Sequence, residues 1–323
     1  MSDPARFDYD LLCMGRSSID LYAHEVGVPI TAVKSFDAYV GGCPTNVSVG
    51  TRRLGLRTAL LTAVGEDQVG DFVLHFLETE GVETRFIPRK AGRRTSAVVL
   101  TIQPPDRFPL TFYRDNCADI APTAADVEAA PIASSRFVFL SGTGLSLEPS
   151  RGATFHAAAR AKAAGARLVV DLDYRADQWP SVQEYARHVQ RLLGGAAVAV
   201  GTEEEAIAAA GGAPLDAAIE AVMKTGVPAF VLKRGARGST IIREDGSRSD
   251  VPPFRVEVLN VLGAGDAFAS GLIYGLREGW PLEEAARFGN AVGAIVVTRH
   301  GCANFMPTLA EVREFIARSE AGA

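Results

Sequence analysis

The chain has 323 residues, 47% of them hydrophobic, and a formal net charge of −5 at pH 7. This length and apolar content suit one large α/β domain with a substantial core. The acidic balance excludes a general affinity for nucleic acid or an anionic membrane surface, since both need a basic face. No apolar run is long enough to span a bilayer, and the acidic start MSDPARFDYD predicts no signal peptide, so a cytoplasmic protein is expected.

The cysteines are widely scattered and show no CxxC or Cys/His ligand spacing: Cys13, Cys43, Cys117 and Cys302. This pattern predicts reduced, buried thiols and not disulfides or metal ligands. The five histidines also form no metal-binding pattern.

Short apolar runs alternate with helical patterns along the chain. The predicted strands are YDLLCMG, TALLTAVG, RFVFLSG, RLVVDLD, AAVAV and AFVLK. Helical patterns such as TNVSVGTRRLGL and DQVGDFVLHFLETEG separate them. Continuous apolar strands between helices predict a mainly parallel sheet that is covered by helices on both faces, in one α/β domain over residues 1–323.

Two regions interrupt this rhythm. TSAVVLTI and FPLTFYRD resemble adjacent strands joined by the turn-rich QPPDR, and residues 21–39 lack helical periodicity. These regions predict either a small antiparallel sheet that stands apart from the main layer or an extension of its edge.

The segment NVLGAGDAF places Gly263, Ala264 and Gly265 directly before a carboxylate, Asp266. Small and apolar residues then recur at helical spacing, so a helix is predicted to begin near Ala264. Unpaired amides and the helix dipole at such a start form an anion site suited to phosphate. Asp266 cannot bind phosphate itself, but it can take a proton from a hydroxyl that attacks phosphorus. The alternative is that Asp266 only caps the helix.

Two segments near the N-terminus contain candidate substrate ligands. In VGGCPTNVSVG, Gly41 and Gly42 precede a predicted helix whose first turn contains Asn46, an amide able to bind hydroxyls. In GRSSIDLY, Asp20 lies just beyond the first strand, where parallel sheets bind ligands. The alternatives are an ordinary loop-to-helix junction and a surface cap.

A third glycine cluster, KRGARGS, contains Lys233, Gly235 and Gly238 between two predicted strands. Its glycines allow close approach of a ligand to the backbone, and its cations suit phosphate, although a tight hairpin turn explains the same residues. The sequence contains neither a P-loop motif nor a complete GxGxxG.

Charged residues also follow three other predicted strands. Arg114 ends LTFYRD and Arg175 follows VVDLDYR, and paired guanidinium groups suit a carboxylate or phosphate. Exposed salt bridges are the alternative. The glutamates of GTEEEA open a predicted helix. They either interact favourably with the dipole of that helix, or one of them holds a water molecule on Mg²⁺.

Taken in order over almost the whole chain, these segments resemble the ribokinase-like, or PfkB, family of sugar kinases. The resemblance implies a Rossmann-like three-layer α/β sandwich with a small β-sheet lid, formed by insertions at about 20–40 and 94–117. It also implies ATP and Mg²⁺ as cofactors, Asp266 as catalytic base, and an anion hole built by Gly263, Ala264 and Gly265.

The resemblance assigns further residues by position. It implies nucleotide binding by Lys233, Gly235, Gly238 and, in RFGNAVGAIVV, by Asn290. Glu204 corresponds to the glutamate of an Asn-x-x-Glu element that acts on Mg²⁺ through water, but Gly201 replaces the asparagine. Members often have Asp-Thr-Thr before Gly-Ala-Gly-Asp, whereas this chain has Asn260-Val261-Leu262, which argues against activation by potassium.

Within the family, GRSSIDLY, FPLTFYRDNCADIA, DLDYR and GTEEE are most similar to segments of a keto-deoxy sugar acid kinase of myo-inositol breakdown. The resemblance implies that Arg114 and Arg175 bind the acid end, and that Asp20, Gly41, Gly42 and Asn46 bind the rest of the substrate. The alternatives are another keto-deoxy sugar acid, a neutral sugar such as fructose, and a sensor without catalysis. The family also implies a homodimer through the lid.

Overall fold

The computed structural model of the protein describes residues 7–104 and 107–321. The strands within these ranges are β1 (Tyr9–Met14), β2 (Ser18–Ala23), β3 (Phe36–Gly41), β4 (Thr58–Leu61), β5 (Val64–Gly65), β6 (Arg89–Lys90), β7 (Ser96–Leu100), β8 (Leu110–Tyr113), β9 (Ser135–Ser141), β10 (Arg167–Asp171), β11 (Val198–Thr202), β12 (Ala229–Lys233), β13 (Ser239–Arg243) and β14 (Arg248–Val251). The helices are α1 (Cys43–Arg53), α2 (Gln68–Thr79), α3 (Ala124–Ala129), α4 (Ser150–Ala164), α5 (Val182–Leu193), α6 (Glu203–Ala209), α7 (Leu215–Met223), α8 (Ala264–Glu278), α9 (Leu282–Val296) and α10 (Leu309–Ala321).

The main sheet has eight strands in the order β14-β13-β12-β11-β10-β9-β1-β4. The six strands from β12 to β4 run parallel, and the hairpin of β13 and β14 extends one edge antiparallel. This confirms the mainly parallel sheet and each strand predicted for it. Because the parallel strands share one direction, their carboxyl ends lie along one edge of the sheet.

Helices cover both faces of this sheet, as the continuous apolar strands predict. Along β1, Leu11 and Cys13 belong to one buried core, and Leu12 and Met14 belong to the other. Alternate residues of a strand point to opposite faces, so a strand buried on both sides has no polar alternation. The three-layer α/β sandwich is therefore confirmed.

A second sheet, β3-β2-β7-β8, stands apart from the main layer, which answers the choice left open by the sequence. Its outer pairs are antiparallel, but β2 and β7 run parallel, so this four-stranded sheet is mixed and not antiparallel throughout. A parallel pair needs a long crossover, and the chain between β2 and β7 supplies one through the main domain. Pro105 and Asp106 of the QPPDR connection, like residues 1–6 of the acidic start, lie outside the described residues.

Helices α8 and α9 pack closely because glycines lie between them. A Cβ atom added to Gly271 would come within 2.8 Å of the Cα atom of Gly289. This contact fixes α8 against the domain, with its first turn at the carboxyl edge of the main sheet. All four cysteines are free and buried, as predicted. Over residues 7–104 and 107–321, the helices are too short or too polar to cross a membrane.

Candidate active site

The candidate site lies where parallel strands end near a change in strand order. Strand β1 has β4 on one side and β9 on the other, so the chain connections diverge between β1 and β9. Ligands of open α/β sheets bind in the crevice beyond such a point. The polar residues that directly end or follow these strands are Arg16 (β1), Thr143 (β9), Asp171, Asp173 and Arg175 (β10), Glu205 (β11) and Lys233 (β12).

The first turn of α8 presents free amides to this crevice. Gly263 precedes the helix in the left-handed conformation with φ 80°, where a Cβ atom would lie 2.6 Å from Cys302 Sγ. The amide of Ala264 donates to Val261 O over 3.3 Å, whereas those of Gly265 and Asp266 donate no hydrogen bond within the described part of the chain. Two unpaired amides at a helix start are the groups that an anion site of the predicted kind requires.

Asp266 is half-buried in the same turn, with its carboxylate beside α1. Asn46 Nδ2 donates to Asp266 Oδ2 over 2.6 Å. Burial and the charge of Asp173 raise the pKa of Asp266, while hydrogen bonds from Asn46 and Cys43 oppose this rise. A carboxyl group with a raised pKa in a crevice is suited to proton transfer.

Asp20 points from β2 toward the crevice, with Gly41 of β3 directly beside it. A Cβ atom on Gly41 would lie 1.9 Å from Asp20 Oδ2, so this carboxylate occupies the space that any side chain there would need. Gly42 lies against the backbone of Arg16, whose carbonyl oxygen would be 2.3 Å from an added Cβ atom. Burial raises the pKa of Asp20, and the charge of Arg16 opposes it. The structure thus brings Asp20, Gly41 and Gly42 together at the crevice.

Lys233 lies under the α8 anion site between two acids. Its Nζ atom is 3.1 Å from Asp171 Oδ2 and 3.8 Å from Glu205 Oε2, and a Cβ atom on Gly265 would be 3.0 Å from it. Burial opposes protonation of Lys233, but the two carboxylates keep its pKa above the usual value. Glu204, in contrast, is exposed, so Glu205 is the member of the acid cluster that contacts Lys233.

The Gly235 and Gly238 loop forms the tight connection between β12 and β13. Gly238 has φ 80°, and the amide of Arg234 donates to its carbonyl oxygen over 2.8 Å. On α9, Asn290 donates its amide to the carbonyl oxygen of Pro252 over 3.0 Å, just beyond β14. Both features therefore have a structural role at the β13–β14 end of the sheet, beside the predicted nucleotide side.

Arg114 and Arg175 belong to one hydrogen-bonded network. Arg114 Nε donates to Asp119 Oδ2 over 2.7 Å, and its Nη1 contacts Thr143 O over 3.4 Å. The hydroxyl of Thr143 donates to Asp173 Oδ2 over 2.8 Å, and Asp173 Oδ1 lies 3.3 Å from Arg175 Nη2. Both arginines thus lie near the crevice, and each has an acidic partner within the protein.

Sequence reasoning did not single out Arg16, Asp171, Asp173 or Thr143. Asp173 adopts the left-handed region with φ 36°, which is uncommon for a residue other than glycine and clusters at functional sites. Asp171 and Asp173 stand in the quoted DLDYR and Arg16 in the quoted GRSSIDLY, directly after strands. The sequence signal that could have identified all four residues is their position at or shortly after the end of a parallel strand.

A surface cavity of about 760 Å³ lies elsewhere, near the start of β1 and β4. Two of its arginines already have acidic partners, since Arg57 pairs with Asp10 and Arg85 with Glu83. It offers neither free helix amides nor a carboxyl group like Asp266. The chemistry therefore favours the crevice at the opposite end of the strands.

Comparison with known proteins agrees with this geometry. A model of the "pfkB family carbohydrate kinase" matches residues 8–309. Proteins named 5-dehydro-2-deoxygluconokinase from Clostridium tetani and Shouchella clausii are 34% and 32% identical to this chain; the alignments cover 95% of it in both cases, and 92% and 95% of the relatives. A fructokinase from Xylella fastidiosa, solved with bound ATP, superposes with a TM-score of 0.85 at 27% identity, covering 96% of this chain and 98% of the other. This chain therefore belongs to the pfkB family of carbohydrate kinases.

Proposed function

We propose that this kinase transfers the terminal phosphoryl group of ATP to the terminal hydroxyl of a keto-deoxy sugar acid, 5-dehydro-2-deoxygluconate. The single observation that carries the reaction type is the carboxylate of Asp266 beside two unpaired helix amides. The substrate is supported by relatives named 5-dehydro-2-deoxygluconokinase and by arginines at the crevice.

Asp266 acts as the general base. It accepts the proton of the substrate hydroxyl while the hydroxyl oxygen forms a bond to the γ-phosphorus of ATP. The bond from that phosphorus to the bridging oxygen breaks, and ADP leaves with the electron pair. Asn46 holds the Asp266 carboxylate in place through its 2.6 Å hydrogen bond.

The first turn of α8 stabilises the negative charge that develops on the transferred group. The backbone of Gly263, Ala264 and Gly265 forms the anion hole, with the free amide of Gly265 as a donor. Lys233 adds positive charge close to Gly265. Gly235, Gly238 and Asn290 shape the nucleotide side at the far end of the sheet.

Mg²⁺ fits this site as an ion held mainly by phosphate and water. No group of three or more acidic, histidine or cysteine side chains able to hold a metal occurs in residues 7–104 and 107–321. Mg²⁺ commonly keeps several waters and binds one or two carboxylates beside substrate phosphates, which suits Glu204 and Glu205 at the start of α6. When bound, it neutralises phosphate charge.

The sugar acid lies under the four-stranded sheet, which we propose is a lid. Asp20 and Asn46 bind hydroxyl groups. Gly41 leaves room for the Asp20 carboxylate and Gly42 for the backbone of Arg16, so both glycines shape the substrate site. The positive charges of Arg114 and Arg175 attract the carboxylate end of the sugar acid. Closure of the lid excludes water, which otherwise competes as phosphoryl acceptor.

We further propose that the outer face of the lid forms a homodimer with a second copy. This face is apolar and at least partly exposed over all four strands: Ile19, Leu21, Phe36, Ala38, Ala97, Val99, Thr111 and Tyr113. Tyr113 is 60% exposed and Phe36 is 40% exposed, which is unusual for aromatic side chains on one sheet face. A second lid of the same kind would cover this surface.

A coupled ADP-release assay over sugar acids and neutral sugars tests the proposed function. We expect the highest kcat/KM with 5-dehydro-2-deoxygluconate. Better turnover of 2-dehydro-3-deoxygluconate would change the substrate, and equal or better turnover of fructose or ribose would reject recognition of an acid. No turnover with any sugar, together with tight sugar binding, would identify a sensor instead of an enzyme.

A further inference from the structure

Arg16 is a buried cation at the crevice whose charge has no paired acid. Only 9% of its surface is exposed, directly after β1. Its Nη1 atom donates to Ser18 Oγ over 2.7 Å. Among residues 7–104 and 107–321, no carboxylate lies within ion-pair distance of it, and its Nε and Nη2 atoms donate no hydrogen bond.

The two arginines predicted to bind the acid end differ from Arg16 in this respect. Arg114 is paired with Asp119 at 2.7 Å and also donates to Gln178 Oε1 over 2.6 Å. Its remaining nitrogen, Nη2, is buried and has no hydrogen-bond partner among the described residues. Arg175 is paired with Asp173 at 3.3 Å. Their charges are already partly compensated within the protein.

The surroundings of Arg16 connect it to both walls of the proposed sugar site. Ser18 Oγ, which accepts from Arg16, donates in turn to Asp20 Oδ1 over 2.6 Å. On the same lid sheet, the ring of Phe112 lies 5.3 Å from Arg16 Cζ. The positive charge of Arg16 also opposes the effect of burial on the pKa of Asp20 and of Asp173, so the guanidinium group lies close to both.

A guanidinium group removed from water needs an anion or several hydrogen bonds to compensate its lost hydration. Arg16 has one hydrogen bond to a hydroxyl and one aromatic face. Its planar fork has room for two parallel bonds to a carboxylate. A ligand that enters between the main sheet and the lid strands that carry Asp20 and Phe112 is the group able to complete this environment.

We infer that Arg16 is a specificity-determining residue that binds the carboxylate of the sugar acid, with Arg114 and Arg175 positioning the surrounding network. This inference rests on the proposed function. It predicts that Arg16 distinguishes a charged acid end from a neutral one of the same shape.

The test compares 5-dehydro-2-deoxygluconate with its neutral primary amide as substrates. The kcat/KM of each is measured for the wild-type chain, Arg16→Gln, Arg16→Lys and, as a matched control, Arg175→Gln. We expect Arg16→Gln to reduce the preference for acid over amide by about 10- to 100-fold, mainly through KM for the acid, because a charged hydrogen bond is lost. Arg16→Lys is expected to retain part of the preference, and Arg175→Gln is expected to change it less than Arg16→Gln does.

Each outcome separates the inference from the proposed function. If the wild-type chain phosphorylates the acid but Arg16→Gln slows acid and amide equally, Arg16 has only a structural role and the inference is overturned. The same holds if Arg175→Gln abolishes the preference and Arg16→Gln does not. If Arg16→Gln does not fold, a full wild-type preference in Arg16→Lys contradicts the inference, since an ammonium group cannot form the bidentate fork. Absence of wild-type turnover with the acid overturns the proposed function, and the inference with it.

Discussion

Asn46 and Asp266, 220 positions apart in the chain, are joined by a 2.6 Å hydrogen bond between the first turns of α1 and α8. The donor is an amide whose own oxygen is buried without a partner. The bond therefore holds one carboxylate oxygen of Asp266 in place. The sequence predicts both residues for the site, with Asn46 as a ligand of substrate hydroxyl groups, and the structure adds its contact with Asp266.

We expect Asp266→Asn to lower kcat by roughly 10²–10⁴-fold, the usual contribution of a positioned general base. The amide has the same shape but cannot accept the proton. Binding of ATP, measured by calorimetry, should change little, because the free amides and Lys233 remain. Asp245→Asn, an exposed change in the β13–β14 turn, is the matched control. Near-normal turnover in Asp266→Asn would show that another group is the base.

Asn46→Ala should shift the acid limb of the pH profile of kcat/KM. The hydrogen bond from Asn46 lowers the pKa of Asp266, opposing burial and the charge of Asp173. Its removal therefore raises that pKa, so the base stays protonated to a higher pH and the acid limb moves toward alkaline pH. An unchanged acid limb with lower activity at every pH would mean that Asn46 acts on the substrate only.

Gly41→Ala should destabilise the protein through the carboxylate of Asp20. The added methyl group would lie 1.9 Å from Asp20 Oδ2, and overpacking of this kind costs about 1–3 kcal/mol. In an Asp20→Ala background the same change should cost much less, because the blocking carboxylate is absent. The free energy of unfolding of the four chains gives the coupling directly. An equal loss of unfolding free energy in both backgrounds would show that the added methyl group does not clash with the Asp20 carboxylate.

Potassium should not stimulate this kinase. Asn260 is fully buried before α8, where its Oδ1 accepts from Leu262 N and its Nδ2 donates to His300 O, both over 3.0 Å. These two hydrogen bonds hold the loop before α8 in place without a bound ion. Initial rates in potassium chloride and in tetramethylammonium chloride at equal ionic strength should agree. A rise only in potassium would contradict the role given to Asn260.

Charges on the outer face of the lid should separate the proposed dimer. Tyr113→Lys places a cation on the edge strand of the apolar face, whereas Lys224→Ala removes one from an exposed helix end away from the lid and serves as control. Light scattering after size-exclusion chromatography should report a dimer for the wild-type and control chains and a monomer for Tyr113→Lys. A wild-type monomer at assay concentrations would reject the lid interface.

Local patterns were sufficient for the six parallel strands of the main sheet and for the start of α8. The run of small residues from Gly263 predicts a helix beginning near Ala264, and α8 begins at that residue. Apolar strand length likewise predicts a sheet covered on both faces. These features depend on neighbours in sequence, which a single chain displays.

Pairings between distant residues could not be predicted in this way. Arg16 and Arg175 look alike in sequence, and only the fold shows that Arg175 has Asp173 as partner while Arg16 has none. The family resemblance implies Glu204, but the helix turn directs the neighbouring Glu205 toward Lys233. A difference of one helical position rotates a side chain by about 100°, which spacing rules do not resolve.

Strand β2 carries the proposed ligand contact and the proposed subunit contact on alternating residues. Asp20 faces inward, while Ile19 and Leu21 on either side of it face outward. A single inserted or deleted residue would turn the acid to the surface and push leucine or isoleucine into the sugar pocket. Length changes in this strand are therefore tolerable only in steps of two, and the enzyme can alter its substrate preference or its self-association here only by replacing side chains one at a time.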